Sequence, residues 1–491
     1  MLLNYALAVL SGLLMVLIHP RANFAFLAPF ALAPLIYALA REWVPRHRFL
    51  LAYSSGLVFW ATSNYWIHFV ISVHGGLGTG LGVIGFVLFV LLRAVPMGLF
   101  GLSAGVVIQQ PYALLAVPAM WVAMERIPYL YDYKWLMLGN AGIDMSIPMR
   151  LAPLTGVYGL SFLFAMLGVA IAFVVLRRGR RQLLPLLSLV ILPVLPSLPE
   201  GSVPDRLAVS VQPSVADRDN WTAPEAVALT KQMEALSLTP LLKGGRRPSL
   251  ILWPEIPAPL YYFDDPVFRE SVTSMIRIAG VPTILGTVAR NAQGEPLNSA
   301  LVMAPSGEPV GRYDKMNLVP FGEYTPWPFR GFVDKISNEI GDFVPGKQLA
   351  TFELVRGERA GVFICYESAF PDHVRTFVGQ GATLLVNLSN DGYFGGSAAR
   401  EQHLSLVRMR AAENDRWILR STNDGITTAV DPAGRTAKPL PQYAVTSAQL
   451  PFAYRRQLTP YSRWGDVFAW SCVGASVVAL GLSQIPQYKR G

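Results

Sequence analysis

Cysteine is nearly absent: only Cys365 and Cys472 occur in 491 residues, and only 15% of the chain is charged. Two cysteines exclude a disulfide framework. Cys472 lies inside an apolar run, where a thiol behaves as a small hydrophobe, and a bridge to Cys365 would join a globular segment to the interior of a bilayer. The six histidines make no metal-ligand spacing with the cysteines, so neither a metal nor another cofactor is expected. An ordinary soluble domain is about a quarter charged. The shortage of charge is concentrated before residue 200 and after Asp466.

Those two regions hold apolar runs in place of charge. Candidate spans are 2–19, 24–40, 49–71, 81–108, 111–128, 155–176, 183–198 and 467–485. A helix needs about 20 apolar residues to cross the hydrocarbon core. The second run is short, and the seventh is short and interrupted by Pro185, Pro193 and Pro196. The first lacks the basic start and small-residue exit of a signal peptide, so it reads as a retained span. The net charge of +9 gathers at Arg41–Arg48, Arg177–Arg181 and Lys489–Arg490, each beside an apolar run. Such clusters read as topology signals, not as a nucleic-acid footprint, and no nucleic-acid partner is expected. Eight spans with a cytoplasmic N-terminus put all three clusters inside and residues 200–465 outside. The expected domains are therefore 1–199, 200–465 and 466–491. Arg93 and Glu125 are charges within spans, hence functional candidates. Their depths differ by about 10 Å at about 1.5 Å per residue, which does not favour a direct pair, and Arg93 reads equally as a side chain reaching for the outer surface.

Residues 200–465 alternate β-rich and helical stretches. Leu207–Val211, Leu250–Trp253, Thr283–Val288, Ala300–Ala304, Ala360–Cys365 and Leu384–Leu388 read as strands. Pro224–Leu242 and Asp265–Ala279 read as helices, the first with Thr222 as N-cap. This alternation argues for a sheet covered by helices.

Three β-rich runs each end on a residue able to do chemistry. Leu250–Trp253 leads through Pro254 to Glu255, Gly311–Asp314 to Lys315, and Ala360–Ile364 to Cys365. A neutral-pH thiol is mostly protonated and needs a base. Glu255 is the candidate, if partial burial tunes it. Lys315 and backbone N–H groups near Cys365 would stabilise the oxyanion formed on attack. Collapse leaves an acyl thioester on Cys365 that a second nucleophile resolves. Histidine is dispensable in such a scheme, and His373 and His403 suggest no Cys-His-Asn arrangement. Singly, each of the three residues would read as buried structure or surface decoration. Their order and local motifs argue against that.

Trp253-Pro254-Glu255, Tyr313-Asp314-Lys315 and Ile364-Cys365-Tyr366-Glu367 resemble the Glu-Lys-Cys triad of the nitrilase superfamily. Within it the chain is most similar to the apolipoprotein N-acyltransferase family. The similarity extends through Asn317–Pro326, Ser389–Gly395, Arg420–Gly425, Leu458–Asp466, Asn64–Ile67 and Pro118–Glu125. It implies a multi-span α-helical membrane domain joined to an α/β domain with the nitrilase-like αββα sandwich. It further implies Cys365 as nucleophile, Glu255 as base, Lys315 as the essential lysine, and Glu323, Tyr366 and Glu367 as supporting residues. Trp221, Trp327, Asn390, Tyr393 and Phe394 are the implied substrate-binding residues. Asp132-Tyr133-Lys134-Trp135 departs from the Gly-Phe-Pro-Trp run more common in the family. The implied activity is acyl transfer from a phospholipid to the amine of a diacylated apolipoprotein, at a bacterial inner membrane, without metal or nucleotide. Residues 321–348, with Phe321, Tyr324, Trp327 and Phe329, form a long aromatic segment that reads as a lid for lipid entry. The rival readings are a membrane-tethered amide hydrolase with the same triad, an acyltransferase for another amine, and a non-catalytic transport or scaffold protein.

Overall fold

The computed structural model describes residues 1–128, 132–199, 203–216, 221–242, 246–257, 260–324 and 343–485. The chain divides into two compact units. One comprises Met1–Ile67, Val83–Leu198 and the chain from Arg463 onward; the other comprises His68–Gly82 and Pro199–Ser462.

The first unit is helical. Val157–Val175 is its centre, packed against Ala33–Arg41 and Ala113–Arg126, while Leu2–Leu17 packs on Pro45–Ser63 and Val467–Ser483 on Ala113–Arg126. Apolar side chains face outward as well as inward, among them Ile84, Val87, Leu88 and Leu91. Among the described residues two helices, Gly78–Val107 and Val157–Val175, are long and apolar enough to cross a membrane; Leu2–Leu17 and Val467–Ser483 are apolar but shorter.

Three expected spans take a different form. The 24–40 run is a 3₁₀ turn, Ala25–Phe30, followed by the helix Ala33–Arg41. The 49–71 run begins earlier, with Pro45 in the first helical turn, and stops at Ser63. There Asn64 leaves helical geometry and accepts the Tyr133 hydroxyl at 2.7 Å. The 183–198 run is a 3₁₀ helix, Arg180–Val194, containing Pro185 and Pro193, which lack the N–H that an α-helical ladder needs. Arg93 donates to the Tyr133 carbonyl at 3.1 Å and lies over the Trp60 and Tyr133 rings. Glu125 accepts from Trp121 Nε1 at 2.9 Å and from the Leu138 N–H at 2.8 Å.

The second unit is a two-sheet sandwich. Its strands are β1 (Arg206–Gln212), β2 (Leu250–Leu252), β3 (Thr283–Arg290), β4 (Pro296–Met303), β5 (Pro309–Asp314), β6 (Thr351–Val355), β7 (Glu358–Ile364), β8 (Leu384–Ser389), β9 (Ile418–Thr422), β10 (Thr428–Val430), β11 (Thr436–Ala437) and β12 (Thr446–Phe452). One sheet runs β12-β1-β2-β3-β4-β5 and the other β11-β10-β9-β8-β7-β6. The inner faces meet in a core of Leu252, Ile284, Val302, Phe363, Val386 and Leu419. The helices Ala223–Leu238 and Pro266–Ala279 cover the first sheet through Met233, Val272 and Ile276. Pro371–Gly379 and Ala399–Asn414 pack on the second. Central strands are therefore buried on both faces, which is why they read as continuous apolar runs.

Local chemistry sets the helix starts. Thr222 and Glu225 form a reciprocal capping box, the Thr222 N–H donating to Glu225 at 2.9 Å. Asp265 caps the next helix by accepting the Phe268 N–H at 2.8 Å. Strands β1–β4, β7 and β8 fall on the expected runs. Strands β6 and β9–β12 and the helices Pro371–Gly379 and Ala399–Asn414 went unread. The last is rich in charge yet buries Arg400, His403 and Arg410.

Candidate active site

Strand direction brings the chemistry together. β2 and β3 run parallel, and the antiparallel hairpins β3-β4 and β4-β5 return β5 to the same direction. Glu255 lies just past the carboxyl end of β2 and Lys315 directly after β5, so both fall at one end of the first sheet. Close approach of the backbones sets Glu255: a Cβ on Gly286 of β3 would lie 2.3 Å from the Pro254 carbonyl oxygen and 2.7 Å from Glu255 Cα. In the second sheet β7 and β8 are parallel, and Cys365 follows β7. The Asn390 N–H, just past β8, donates to Glu255 Oε2 at 2.8 Å, which joins the two sheets at this end.

Lys315 Nζ lies 3.1 Å from Glu255 Oε1 and 2.9 Å from Glu323 Oε1, with all three residues buried. Asn298 Nδ2 donates to the same two oxygens at 2.8 and 2.7 Å. The Val319 N–H donates to Glu323 Oε2 at 2.8 Å. Burial alone would push the Lys315 ammonium down, but Glu255 and Glu323 outweigh it and hold its pKa well above the ordinary lysine value. Burial pushes the Glu323 carboxyl up, opposed by Lys315 and reinforced by Glu255. Two carboxylates around one cation leave surplus negative charge, and Glu323 is the member that holds a proton more readily than usual.

Cys365 is 6% exposed. Burial raises its thiol pKa, Glu255 raises it further, and Lys315 opposes both. The balance of these effects leaves the thiol holding its proton more tightly than a free cysteine does. Cys365 has φ +49°, the left-handed region, and opens the 3₁₀ turn Cys365–Ala369.

The turn is tied down by Glu367, which is fully buried. Its Oε1 accepts the Tyr313 hydroxyl at 2.7 Å and the Met316 and Asn317 N–H groups at 2.8 and 3.1 Å. Its Oε2 accepts the Ile364 N–H at 2.7 Å. Burial would raise this carboxyl, yet His373 and the donated hydrogen bonds overcome it and bring the pKa down to about 2. One carboxylate therefore joins the backbone before the thiol to the backbone after Lys315.

The other expected residues have varied surroundings. Tyr366 packs edge-on against Phe370 at 5.1 Å between ring centroids. Asn390 accepts the Gly392 N–H through its side chain at 3.1 Å. The Tyr393 ring lies 4.5 Å from that of His74, and Phe394 sits edge-on to His403 at 5.6 Å. Trp221 is half-buried against the helices that cover the first sheet. Trp327 and Phe329, and with them most of the expected lid, lie outside the described residues. Phe321 and Tyr324 pair across a short turn, the Phe321 N–H donating to the Tyr324 carbonyl at 2.8 Å.

Sequence reasoning missed Asn298, Tyr313, His373, Ser389, Asp391, His403 and Arg420. Asn298 occupies a strand position with no local sign of chemistry; only the β4-β5 hairpin, where the Lys315 N–H donates to the Asn298 carbonyl at 2.8 Å, places it beside the lysine. His403 donates from Nε2 to the Cys365 carbonyl at 2.9 Å, a contact with the backbone of the thiol residue that sequence reasoning did not anticipate. The usable signal was a histidine on a helix of apparently solvated character.

A two-sheet sandwich with helices outside, and a carboxylate, an amine and a thiol at its strand ends, defines the carbon-nitrogen hydrolase class, and the Carbon-nitrogen hydrolase family matches residues 220–459. The Apolipoprotein N-acyltransferase N-terminal domain matches residues 11–170. The apolipoprotein N-acyltransferase of Geobacter metallireducens is 35% identical to the chain, covering 97% of it and 94% of the relative. Those of Methylococcus capsulatus and Azotobacter vinelandii are 32% and 31% identical, covering 93% and 97% of the chain and 93% of each relative. Among solved structures the chain is similar to a nitrilase-superfamily amidase from Nesterenkonia, with TM-score 0.40, 18% identity, and coverage of 54% of this chain and 95% of that one. The chain belongs to the apolipoprotein N-acyltransferase family.

Proposed function

We propose that the protein is an acyltransferase that moves an acyl chain from a phospholipid to the α-amine of the diacylglyceryl-cysteine at an apolipoprotein N-terminus, by way of a thioester on Cys365. Glu255 takes the thiol proton as sulfur attacks the ester carbonyl. Lys315, with backbone N–H groups beside Cys365, meets the oxyanion. Collapse breaks the ester C–O bond, and Glu255 returns the proton to the departing lysophospholipid oxygen. The acceptor amine then attacks the thioester, Glu255 takes its proton, and the proton passes to the sulfur as the amide forms. Glu323 and Glu367 support the lysine and the nucleophile turn; Trp221, Trp327, Asn390, Tyr393 and Phe394 contact the lipids.

The observation that carries this reading is the buried Glu255–Lys315–Glu323 cluster linked by Asn298 at the strand ends beside Cys365. Membership of the family supplies the donor and acceptor classes. We place residues 1–199 and 466–491 in the bacterial inner membrane as eight spans, with both termini cytoplasmic and residues 200–465 periplasmic, on the charge pattern. At about 2 Å per residue, the fifteen-residue 3₁₀ helix Arg180–Val194 reaches about 30 Å, the thickness of the hydrocarbon core. Lipid substrates explain the membrane: each CH₂ lifted into water costs about 0.8 kcal/mol.

Intact mass after incubation with phospholipid alone is the test. An acyl adduct on Cys365, absent in Glu255→Gln and discharged as N-acyl product by a diacylated lipopeptide, is expected. No adduct refutes the thioester; an adduct released only as free fatty acid makes the protein a hydrolase.

A further inference from the structure

Behind the thiol lies a second cluster that the reaction scheme above does not use. Asp391 follows β8, His403 lies on the helix Ala399–Asn414, and Arg420 is in β9; all three are fully buried. Arg420 Nη2 donates to both Asp391 oxygens at 2.8 and 2.7 Å, and Ser389 Oγ donates to Asp391 Oδ1 at 2.9 Å. Asn387 takes a further hydrogen bond from Arg420 Nη1. Packing closes on the carboxylate: a Cβ on Gly425 would lie 2.1 Å from Asp391 Oδ2. Everything in this cluster converges on one imidazole, with His403 Nδ1 3.0 Å from Asp391 Oδ1 and 3.2 Å from Arg420 Nη2.

The far side of that ring faces the nucleophile. A carbonyl only accepts, so the 2.9 Å contact with the Cys365 carbonyl requires a proton on His403 Nε2. Nδ1 on the other side of the ring lies between the Asp391 Oδ1 acceptor and the Arg420 Nη2 donor. Burial and the Arg420 charge lower the His403 pKa, while Asp391 and the Cys365 carbonyl raise it.

Fixing this carbonyl has a chemical consequence. The Cys365 C=O and the Tyr366 N–H belong to one planar trans peptide and point in opposite directions. Anchoring the oxygen toward the buried cluster aims the N–H away from it. It also holds Cys365 at φ +49°, a conformation that costs a residue bearing a side chain about 1–3 kcal/mol and persists only where the surroundings impose it. Glu367 holds the residue before the thiol through the Ile364 N–H, and His403 holds the thiol residue's own carbonyl.

We propose that His403 is a positioning residue: Asp391 and Arg420 orient its ring, its Nε2–H anchors the Cys365 carbonyl, and the anchored peptide presents the Tyr366 N–H to the oxyanion of each acyl-transfer step. This rests on the thioester reading above. A peptide displaced by about 1 Å can cost about a hundredfold in rate.

The experiment uses the full-length protein in mixed micelles of dioleoyl phosphatidylethanolamine and phosphatidylglycerol. It compares wild type with His403→Leu and with His403→Gln, whose amide can supply a donor in place of Nε2–H. Acyl-enzyme formation is followed by intact mass, and alkylation of Cys365 by iodoacetamide is followed on its peptide. Alkylation displaces iodide and forms no oxyanion. His403→Leu should slow acylation about ten- to a hundredfold at unchanged phospholipid KM, keep alkylation within about threefold, and be largely rescued in His403→Gln. The inference is overturned if His403→Leu acylates as wild type does. It is equally overturned if acylation and alkylation fall together in both variants with the melting temperature, which is the mark of packing alone. A wild type that alkylates but forms no acyl adduct overturns the thioester reading itself.

Discussion

Glu367→Gln is the most informative single substitution. The carboxyl is fully buried and held at about 2 against an ordinary 4.5. At about 1.4 kcal/mol per unit, that depression is worth roughly 3 kcal/mol at neutral pH. The geometry gives the same scale. The carboxylate accepts four hydrogen bonds, from Tyr313, Met316, Asn317 and Ile364. An amide can keep the three on one oxygen but turns an NH₂ toward the Ile364 N–H. It also exchanges charge-assisted bonds of about 1.5–3 kcal/mol for neutral ones of about 1 kcal/mol. Because the folded pKa lies below the unfolded one, this stabilisation is complete above about 4.5 and is lost as pH falls through about 2. Thermal unfolding of both proteins across pH 7 to 2.5 is the assay. The variant should melt about 5–10 °C lower at pH 7, with the gap closing toward pH 2.5. Asp391, which Arg420 holds well below its ordinary value against burial, weakens both proteins equally in acid and cancels in the difference. Acyl-enzyme formation should also fall about a hundredfold, since the peptide before Cys365 loses its anchor. Equal melting at pH 7, or a gap indifferent to pH, would refute the reasoning.

Asn298→Leu removes one donor from Glu255 and one from Glu323; a loss of about 1.5–3 kcal/mol for each is expected in denaturant unfolding, with slower acylation and little change in phospholipid KM. Lys315→Met leaves two buried carboxylates facing each other without their cation and should cost about 3–5 kcal/mol. Adding Glu323→Gln should recover part of that stability and none of the activity, and a double variant no more stable than the single one would contradict the shared-charge description. Gly286→Ala would drive a methyl into the Pro254 carbonyl and Glu255 Cα, costing about 1–3 kcal/mol and slowing acylation; unchanged acylation kinetics would show that the base is not held by this contact.

Some of the site was legible because the signal was local. Glu255, Lys315 and Cys365 each follow a β-rich run, and strand ends are where a sheet presents side chains. Thr222 announced its helix by capping chemistry confined to a few residues. Asn298 and His403 gave no such sign. The first acts from a strand position and the second from a charge-rich helix that tertiary packing buries. The pairing of β1 with β12, Arg206 opposite Phe452, was equally hidden, since nothing in either segment names its partner.

What the chain determined by its order of residues is the inventory: apolar runs, the strands that carry the reactive groups, and a carboxylate, an amine and a thiol in sequence. Tertiary structure decided how those groups are charged and aimed. Lys315 keeps its proton because two carboxylates from different turns meet it in a buried space, and the Cys365 peptide is oriented by a histidine 38 residues away. Hydrogen bonds and Coulomb forces act over a few ångströms in space, so only the folded arrangement could set them.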